Sequence, residues 1–561
     1  MTETVRVVVD SLIAAGVEYV FGVPGAKIDS LFNELLDHPK IKLVVCRHEQ
    51  NAAFMAAAVG RLTGRPGVCI ATSGPGTSNL VTGLVTANDE GYPVVAIVGS
   101  VKRAQALKRT HQSLRGVELL TPVTKKSAAA VVENQIAEII LDAFRAASSF
   151  PRGATSVTLP ADIMLASVSK TTVSAFPPSA YLPPSYGTAA NEVLDQAAAL
   201  ISAAKAPILF LGQRAIDADI VASIHKFLRK HPVPVIETFQ AAGAISKELK
   251  HLFYGRVGLF HNQPGDKLLS EADLVVTIGY DQAEYDADQW NTDCRLDILH
   301  LDFFQADHVQ CYSPKLEVIG SLTANIDAIT DRVTEVARLQ DTAAGKRIVA
   351  EQQDWQSSEV ATAKTDGPVQ PLYFIRLLQS LLDEETVVTC DVGSIYVYFS
   401  RYFYSYKPKT FLTSNVQQTL GVGLPWAIGA SLCQKPTPCS KKVVSISGDG
   451  GFMFSSQELS TAVQLGCNIT HFIWNDGKYN MVEFQEVDKY GRSAGIDLGG
   501  VDFVKFAESF GAKGLRANNS KELDDVVKEA LSYDGVCIVD VTIDYSKNHD
   551  LMKQITAENV N

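Results

Sequence analysis

Residues 442–476 read KVVSISGDGGFMFSSQELSTAVQLGCNITHFIWND. Lys442–Ile446 is a short apolar run with glycine just beyond it, as a buried strand should be, and Ile469–Trp474 is a second. Between them, Gly448-Asp449-Gly450-Gly451 opens a helical stretch. Asp449 and Asp476 stand 27 residues apart, which fits one strand–helix–strand crossover. The spacing predicts neighbouring parallel strands with a carboxylate just beyond the C-terminal end of each. Open α/β sheets bind ligands at that edge. Two hard oxygen ligands beside glycine-rich backbone suit a Mg²⁺ that also holds a diphosphate, because small glycines let backbone N–H groups approach phosphate oxygens. A G-D-G alone favours two tight turns with capping aspartates; the second acid at this spacing, with a strand on each side, favours the ligand site.

The same alternation runs outward from this stretch. Val5, Val8, Val9, Leu12 and Ile13 form a helical stripe, with Gly16 at its end. Tyr19–Val23, Lys42–Cys46, Val68–Thr72 and Pro93–Val98 read as strands, with helical patterns such as Asn51–Leu62 between them. Further strands are predicted near Pro207–Leu211, Val233–Glu237, Leu274–Ile278 and Ile298–Leu301, then near Thr386–Cys390 and Val536–Val541. Two stretches break the pattern: the Ser/Pro-rich Ser167–Pro184 and the polar Gln340–Pro368, both predicted to be linkers. The fold class is therefore α/β, with three doubly wound parallel-sheet domains over residues 1–170, 185–340 and 369–550.

The 561 residues, 46% of them hydrophobic, are too many for one core. A net charge of -12 argues against nucleic acid or an anionic membrane as the main partner. The nine cysteines form no C-x-x-C pair and predict reduced core thiols rather than a disulfide frame or a zinc site. No apolar run reaches the roughly 18 residues of a membrane helix and no secretory leader is evident, so a cytoplasmic protein is expected.

Two further segments follow strands and open helices. Arg47-His48-Glu49 places an acid in a first helical turn, where the helix dipole alone would favour it. Thr72-Ser73-Gly74-Pro75-Gly76 is a strand-to-helix turn. Together with the 448–476 stretch, these residues resemble the thiamine-diphosphate enzyme family along essentially the whole chain, in the order pyrimidine-binding (PYR), middle and diphosphate-binding (PP) domain. The resemblance implies that thiamine diphosphate and Mg²⁺ are cofactors. It implies that Asp449, Asp476 (usually Asn in the family) and the Lys478 carbonyl hold the metal. Glu49 would touch N1′ of the aminopyrimidine and promote its imino tautomer. Pro24, Gly25 and Thr72 would line the cofactor from the first domain. Gly393, Ser394, Gln418, Gly448, Gly450, Gly451, Tyr479, Asn480 and Met481 would line it from the third. Leu420 precedes Gly423-Leu424-Pro425-Trp426-Ala427-Ile428-Gly429-Ala430, a run similar to the family's G-L-P-A-A-I-G-A helix, and falls where an apolar wedge bends the cofactor.

Within the family the chain is most similar to the acetolactate synthase branch, and there to its catabolic, FAD-independent members. That implies pyruvate as substrate: one molecule is decarboxylated and its two-carbon unit joined to a second, giving 2-acetolactate, for acetoin or butanediol formation. Gln112 and Lys27 are the expected carboxylate- or oxyanion-handling residues. His111, beside Gln112, is open between a substrate contact and none. Gln485 stands where the anabolic branch has a Trp that favours 2-ketobutyrate. The run Gly279-Tyr280-Asp281-Gln282-Ala283-Glu284-Tyr285 replaces that branch's arginine-bearing G-A-R-F-D-D-R, so no FAD is expected. The segment from Gly258 through Asn262 to Asp266 also looks like the catabolic middle domain. Active sites shared across a homodimer, assembly into a homotetramer and the absence of a regulatory subunit complete the expectation. The alternatives are an anabolic synthase, a pyruvate oxidase or a simple decarboxylase of the same superfamily. A catalytically inactive fold-keeping subunit is a fourth. A nicotinamide oxidoreductase is disfavoured, because no convincing G-x-G-x-x-G follows a first strand with an acid about 20 residues on.

Overall fold

The computed structural model describes residues 2–36, 38–168, 175–258, 262–354, 357–548 and 551. Apolar runs too short for helices have become strands, and all but one minor pair of strands sit in three sheets of six. Every ladder in those three sheets is parallel. The first sheet runs Lys42–Val45, Tyr19–Gly22, Gly67–Ala71, Val94–Ser100, Ala154–Pro160, Lys126–Ala129 across its width. The third runs Phe411–Thr413, Val388–Cys390, Val443–Gly448, Ile469–Asn475, Val536–Thr542, Lys513–Ala517. Numbered within their own sheets, both have strand order 2-1-3-4-6-5. The middle sheet, built from strands between Pro207 and Ile319, has order 3-2-1-4-5-6. Central strands such as Gly67–Ala71 and Leu274–Ile278 are buried throughout, as continuous Val/Ile/Leu runs require when helices cover both faces.

The first and third blocks pack through two helices, Glu49–Thr63 and Gly423–Leu432, both almost wholly buried. Their small residues allow a close crossing. A Cβ at Gly429 would lie 2.7 Å from the Met55 carbonyl oxygen and 2.9 Å from the Ala58 Cβ. Two buried acids tie the blocks further. Glu458 accepts from the Arg47 and His48 backbone N–H groups at 2.8 and 3.1 Å and from the Asn51 amide at 3.1 Å. Glu90 accepts from Ser414 Oγ at 2.7 Å, from the Val416 N–H at 3.0 Å and from Gln240 of the middle block. Burial pushes the Glu90 carboxyl up.

Three local expectations need correction. The polar stretch 340–368 is not a bare linker: it carries helices Ala343–Asp354 and Glu359–Thr362, the first packed on Pro264–Glu271. Polar exposed faces hid that periodicity. Ser167–Val168 pairs with Thr2–Glu3 in a small antiparallel sheet, while residues 169–174 of that linker lie outside the described residues, as do 259–261 of the segment beginning at Gly258. Finally, Cys294 and Cys311 are paired as a disulfide, with Cα atoms 4.6 Å apart. Loop folding, not sequence spacing, brings them together: Asn291 donates to the Cys311 carbonyl and accepts from the Leu296 N–H. The other cysteines are free and mostly buried. Among the described residues no helix is long and apolar enough to cross a membrane.

Candidate active site

In a sheet of order 2-1-3-4-6-5 the chain reverses direction between strands 1 and 3, leaving a crevice at their C-terminal ends. In the third block those strands are Val388–Cys390 and Val443–Gly448, and their exits are Asp391–Ser394 and Asp449–Gly451. A cavity of about 220 Å³ opens there. It is lined by Gly393, Ser394, Gln418, Leu420, Gly448 to Gly451, Asp476 and Lys478 to Met481, all singled out in the sequence. Asp449 is fixed by the Gly450 N–H on Oδ1 at 2.8 Å and the Gly477 N–H on Oδ2 at 2.7 Å. Burial raises its carboxyl. Burial first and the charge of Asp449 second push Asp476 up to about 7. The Lys478 ammonium is turned away onto Glu483 at 2.5 Å, so it does not neutralise the pair.

Two acids raised by burial, with no lysine or arginine among the side chains lining their cavity except one already paired, call for an external cation. The glycines leave space for its counter-ion: a Cβ at Gly393 or Gly448 would meet no atom within 4 Å, and would project into the cavity that both line. No group of three or more His, Cys, Asp or Glu side chains among the described residues could hold a metal ion by itself. The donor set thus fits a Mg²⁺ shared with diphosphate oxygens rather than a protein-only metal site. The walls were less legible. Trp474 and Tyr545 also line the cavity; Trp474 lies at the end of a strand and reads as core, and Tyr545 lies three residues past the last strand, with no motif around it. Buried Asp391, pushed up to about 6 by burial, accepts from the N–H groups of Val392, Gly421 and Gly423 and so shapes the floor.

In the first block the equivalent exits are Val23–Gly25 and Thr72–Gly76. The second is a hub. Thr72 Oγ1 accepts from the Lys27 N–H at 3.2 Å, and a Cβ at Gly25 would lie 2.6 Å from the Thr72 Cβ. Ser73 Oγ donates to the Gln112 carbonyl at 2.6 Å, and Gln112 holds a left-handed φ of 59°. Gly74, also left-handed, makes room for Gln112: a Cβ there would stand 3.1 Å from the Gln112 Cβ. Gly76 faces Glu49, the first residue of helix Glu49–Thr63, which is buried and accepts from Asn79 Nδ2 at 3.0 Å. One turn therefore touches the backbone or side chain of Lys27, Glu49 and Gln112. Pro24 and His111 are exposed at its margin. The structure leaves Gln485 apart: it is exposed on helix Asn480–Tyr490 and does not line the third-block cavity. Nor does any first-block residue line that cavity.

Three family descriptions match the chain in sequence order. They are the N-terminal TPP-binding domain of thiamine pyrophosphate enzymes over residues 2–119, the central domain over 194–329 and the C-terminal TPP-binding domain over 391–541. Acetolactate synthase of Bacillus subtilis (strain 168) is 45% identical over 548 residues, covering 97% of this chain and 94% of that protein. The catabolic acetolactate synthase of Raoultella terrigena is 41% identical, with 98% and 96% covered. The large subunit of acetolactate synthase isozyme 2 of Escherichia coli (strain K12) is 29% identical, with 96% and 95% covered. With a switch-point crevice on each of the first and third sheets and relatives of this similarity along its whole length, the chain belongs to the thiamine pyrophosphate enzyme family, among its acetolactate synthases.

Proposed function

We propose that the protein condenses two pyruvates and one proton into one 2-acetolactate and one CO₂, with thiamine diphosphate and Mg²⁺ and without FAD. The observation that carries this reading is the uncompensated Asp449–Asp476 pair in a glycine-walled cavity, in a chain whose relatives at 41–45% identity are acetolactate synthases. Asp449, Asp476 and the Lys478 carbonyl would hold the metal and, through it, the diphosphate. Bound thiamine diphosphate supplies a nucleophilic carbon and an electron sink for decarboxylation. Glu49 holds or releases a proton at N1′ of the aminopyrimidine, and its burial keeps competing water away. Gln112 and Lys27, each bonded through its backbone to the Thr72–Gly76 turn, orient the carboxylate of the incoming pyruvate; His111 and Gln485 stand further out. Leu420 wedges the cofactor from the cavity side. The domain limits 1–170, 185–340 and 369–550 belong to the same proposal.

The cavity of about 220 Å³ is smaller than the ~300–1,000 Å³ that usually buries a ligand of drug size. It suits the diphosphate and thiazolium end, with the pyrimidine end received on the first-block edge of a second copy. That supports a homodimer with shared sites; assembly as a homotetramer without a regulatory subunit belongs to the same proposal. Mixing Glu49→Gln with Asp449→Ala chains tests it: hybrid dimers contain one site free of both changes and should recover activity.

The absence of FAD is supported by what fills the middle block at the 279–285 stretch. Arg214 donates to Asp302 Oδ2 at 2.8 Å and to Asp281 Oδ2 at 2.7 Å, and Tyr280 is buried. The positive charge there is consumed within the chain, and the stretch carries Asp281 and Glu284 in place of the cations a flavin diphosphate would need. Incubating the purified protein with pyruvate, Mg²⁺ and thiamine diphosphate, identifying the product and recording the visible spectrum tests the whole reading. 2-Acetolactate formed at full rate without flavin supports it. Acetate or acetaldehyde as sole product, or stoichiometric FAD, overturns it.

A further inference from the structure

We propose that Asn79 is the positioning residue of Glu49, selecting which carboxylate oxygen meets the cofactor. The inference rests on the reading of Glu49 as the group that faces the aminopyrimidine. Asn79 Nδ2 stands 3.0 Å from Glu49 Oε2. An ionised carboxylate only accepts, so the amide nitrogen, not its oxygen, must face it. On the other side, Gly76 presents a bare Cα: a Cβ there would lie 3.2 Å from Oε1. The two oxygens of one carboxylate are therefore unlike. Oε2 is tied by a donor, and Oε1 is left open beside a glycine.

Both contacts come from one short helix, Pro75–Asn79, which is itself pinned. It starts after Gly74 at φ 70°, Thr77 Oγ1 donates back to the Thr72 carbonyl at 2.9 Å, and Leu80, the next residue, is fully buried. Glu49 in turn opens a helix packed along its length against Gly423–Leu432. Two anchored helices thus meet at one hydrogen bond, which blocks rotation of the carboxylate about its last bond. A proton relay to a ring nitrogen needs such a fixed lone pair, since reacting groups must be held within a fraction of an ångström. The turn legible in the sequence, Thr72–Gly76, ends three residues short of Asn79.

The test compares Asn79→Leu, which keeps the branching of the side chain and removes the donor, with Glu49→Gln and the double variant. Thiamine diphosphate and Mg²⁺ are added to each purified protein. Deuterium exchange at the cofactor's C2 position is then followed by NMR after acid quench, alongside the cofactor Kd by fluorescence and the melting temperature without cofactor. Losing a hydrogen bond to a charged group should slow exchange about tenfold or more, with the Kd and melting temperature close to those of the unchanged protein. In the Glu49→Gln background, Asn79→Leu should add no further loss. Exchange at the unchanged rate in Asn79→Leu, with Glu49→Gln slow, overturns the inference and leaves Glu49 in place, as does full additivity in the double variant. Unchanged exchange in Glu49→Gln overturns the reading of Glu49 itself. Should Asn79→Leu not fold, Asn79→Ser, whose hydroxyl is too short to span to Oε2, carries the same expectations.

Discussion

The middle and third blocks both gather acids at the C-terminal edge of a parallel sheet, and they treat them in opposite ways. In the middle block Asp302, fully buried, and Asp281 are closed by the Arg214 guanidinium. Burial alone would lower Arg214, but the two acids hold it above its usual value. In the third block burial raises both Asp449 and Asp476, the charge of Asp449 raises Asp476 further, and Lys478 points elsewhere. A cluster of carboxylates at a sheet edge is thus a site only where the chain has failed to supply their counter-charge. The middle edge is self-neutralised and serves as structure; the third edge is left wanting a cation.

Breaking the closed edge should have the largest effect. Arg214→Met leaves buried Asp302 and half-buried Asp281 without their counter-charge, and removal of one member of a buried pair costs about 3–5 kcal/mol; a denaturant titration should show that loss. At the open edge, Asp449→Ala removes a proposed metal ligand without burying a new charge. The fold should persist while the Kd for thiamine diphosphate at fixed Mg²⁺ rises by ~100-fold, about 2.7 kcal/mol, read by calorimetry. Glu284 sharpens the contrast within the middle block. Burial pushes it up to about 8, so the folded chain binds its proton more tightly than the unfolded chain does. Its contribution is whole below the ordinary glutamate value and is lost as pH rises through about 8. Melting temperatures of the unchanged protein should therefore fall across that window, by of order 1 kcal/mol of stability per pH unit, and Glu284→Gln should flatten the fall. The smallest effect is expected from Asp476→Asn. It keeps an oxygen ligand and removes the like charge beside Asp449, so cofactor affinity should change by only about threefold, within ~1 kcal/mol.

The sequence carried the third-block edge well because its signal is local: Asp449 and Asp476 flank one crossover, and glycines mark the turns. The strands called from apolar runs fall within two residues of the ladders observed. Short edge strands such as Phe411–Thr413 and Lys126–Ala129 escaped, because their residues are few and, in the latter, half exposed. Arg214 escaped for another reason. The loss of arginines from 279–285 was visible, but the guanidinium that enters the same edge comes from 65 or more residues upstream, on the loop after Pro207–Leu211. Pairing across strands leaves no periodic trace. The Cys294–Cys311 pair and the Asn79–Glu49 contact, 30 residues apart, are invisible for the same reason.

The buried Glu458 sets a rule for recombination between relatives. It grips the backbone N–H groups of residues 47 and 48, immediately before Glu49, and from the first block it asks for no side chain other than Asn51. Backbone amides are present whatever the sequence, so the requirement is lopsided: the acid must be inherited with the third block, while the first block can vary around it. A chimera that takes residues 1–170 from one synthase and the remainder from another should keep Glu49 in register so long as the donor of the remainder brings this acid. A donor without it would deliver two sound modules whose active site is misaligned by its own seam.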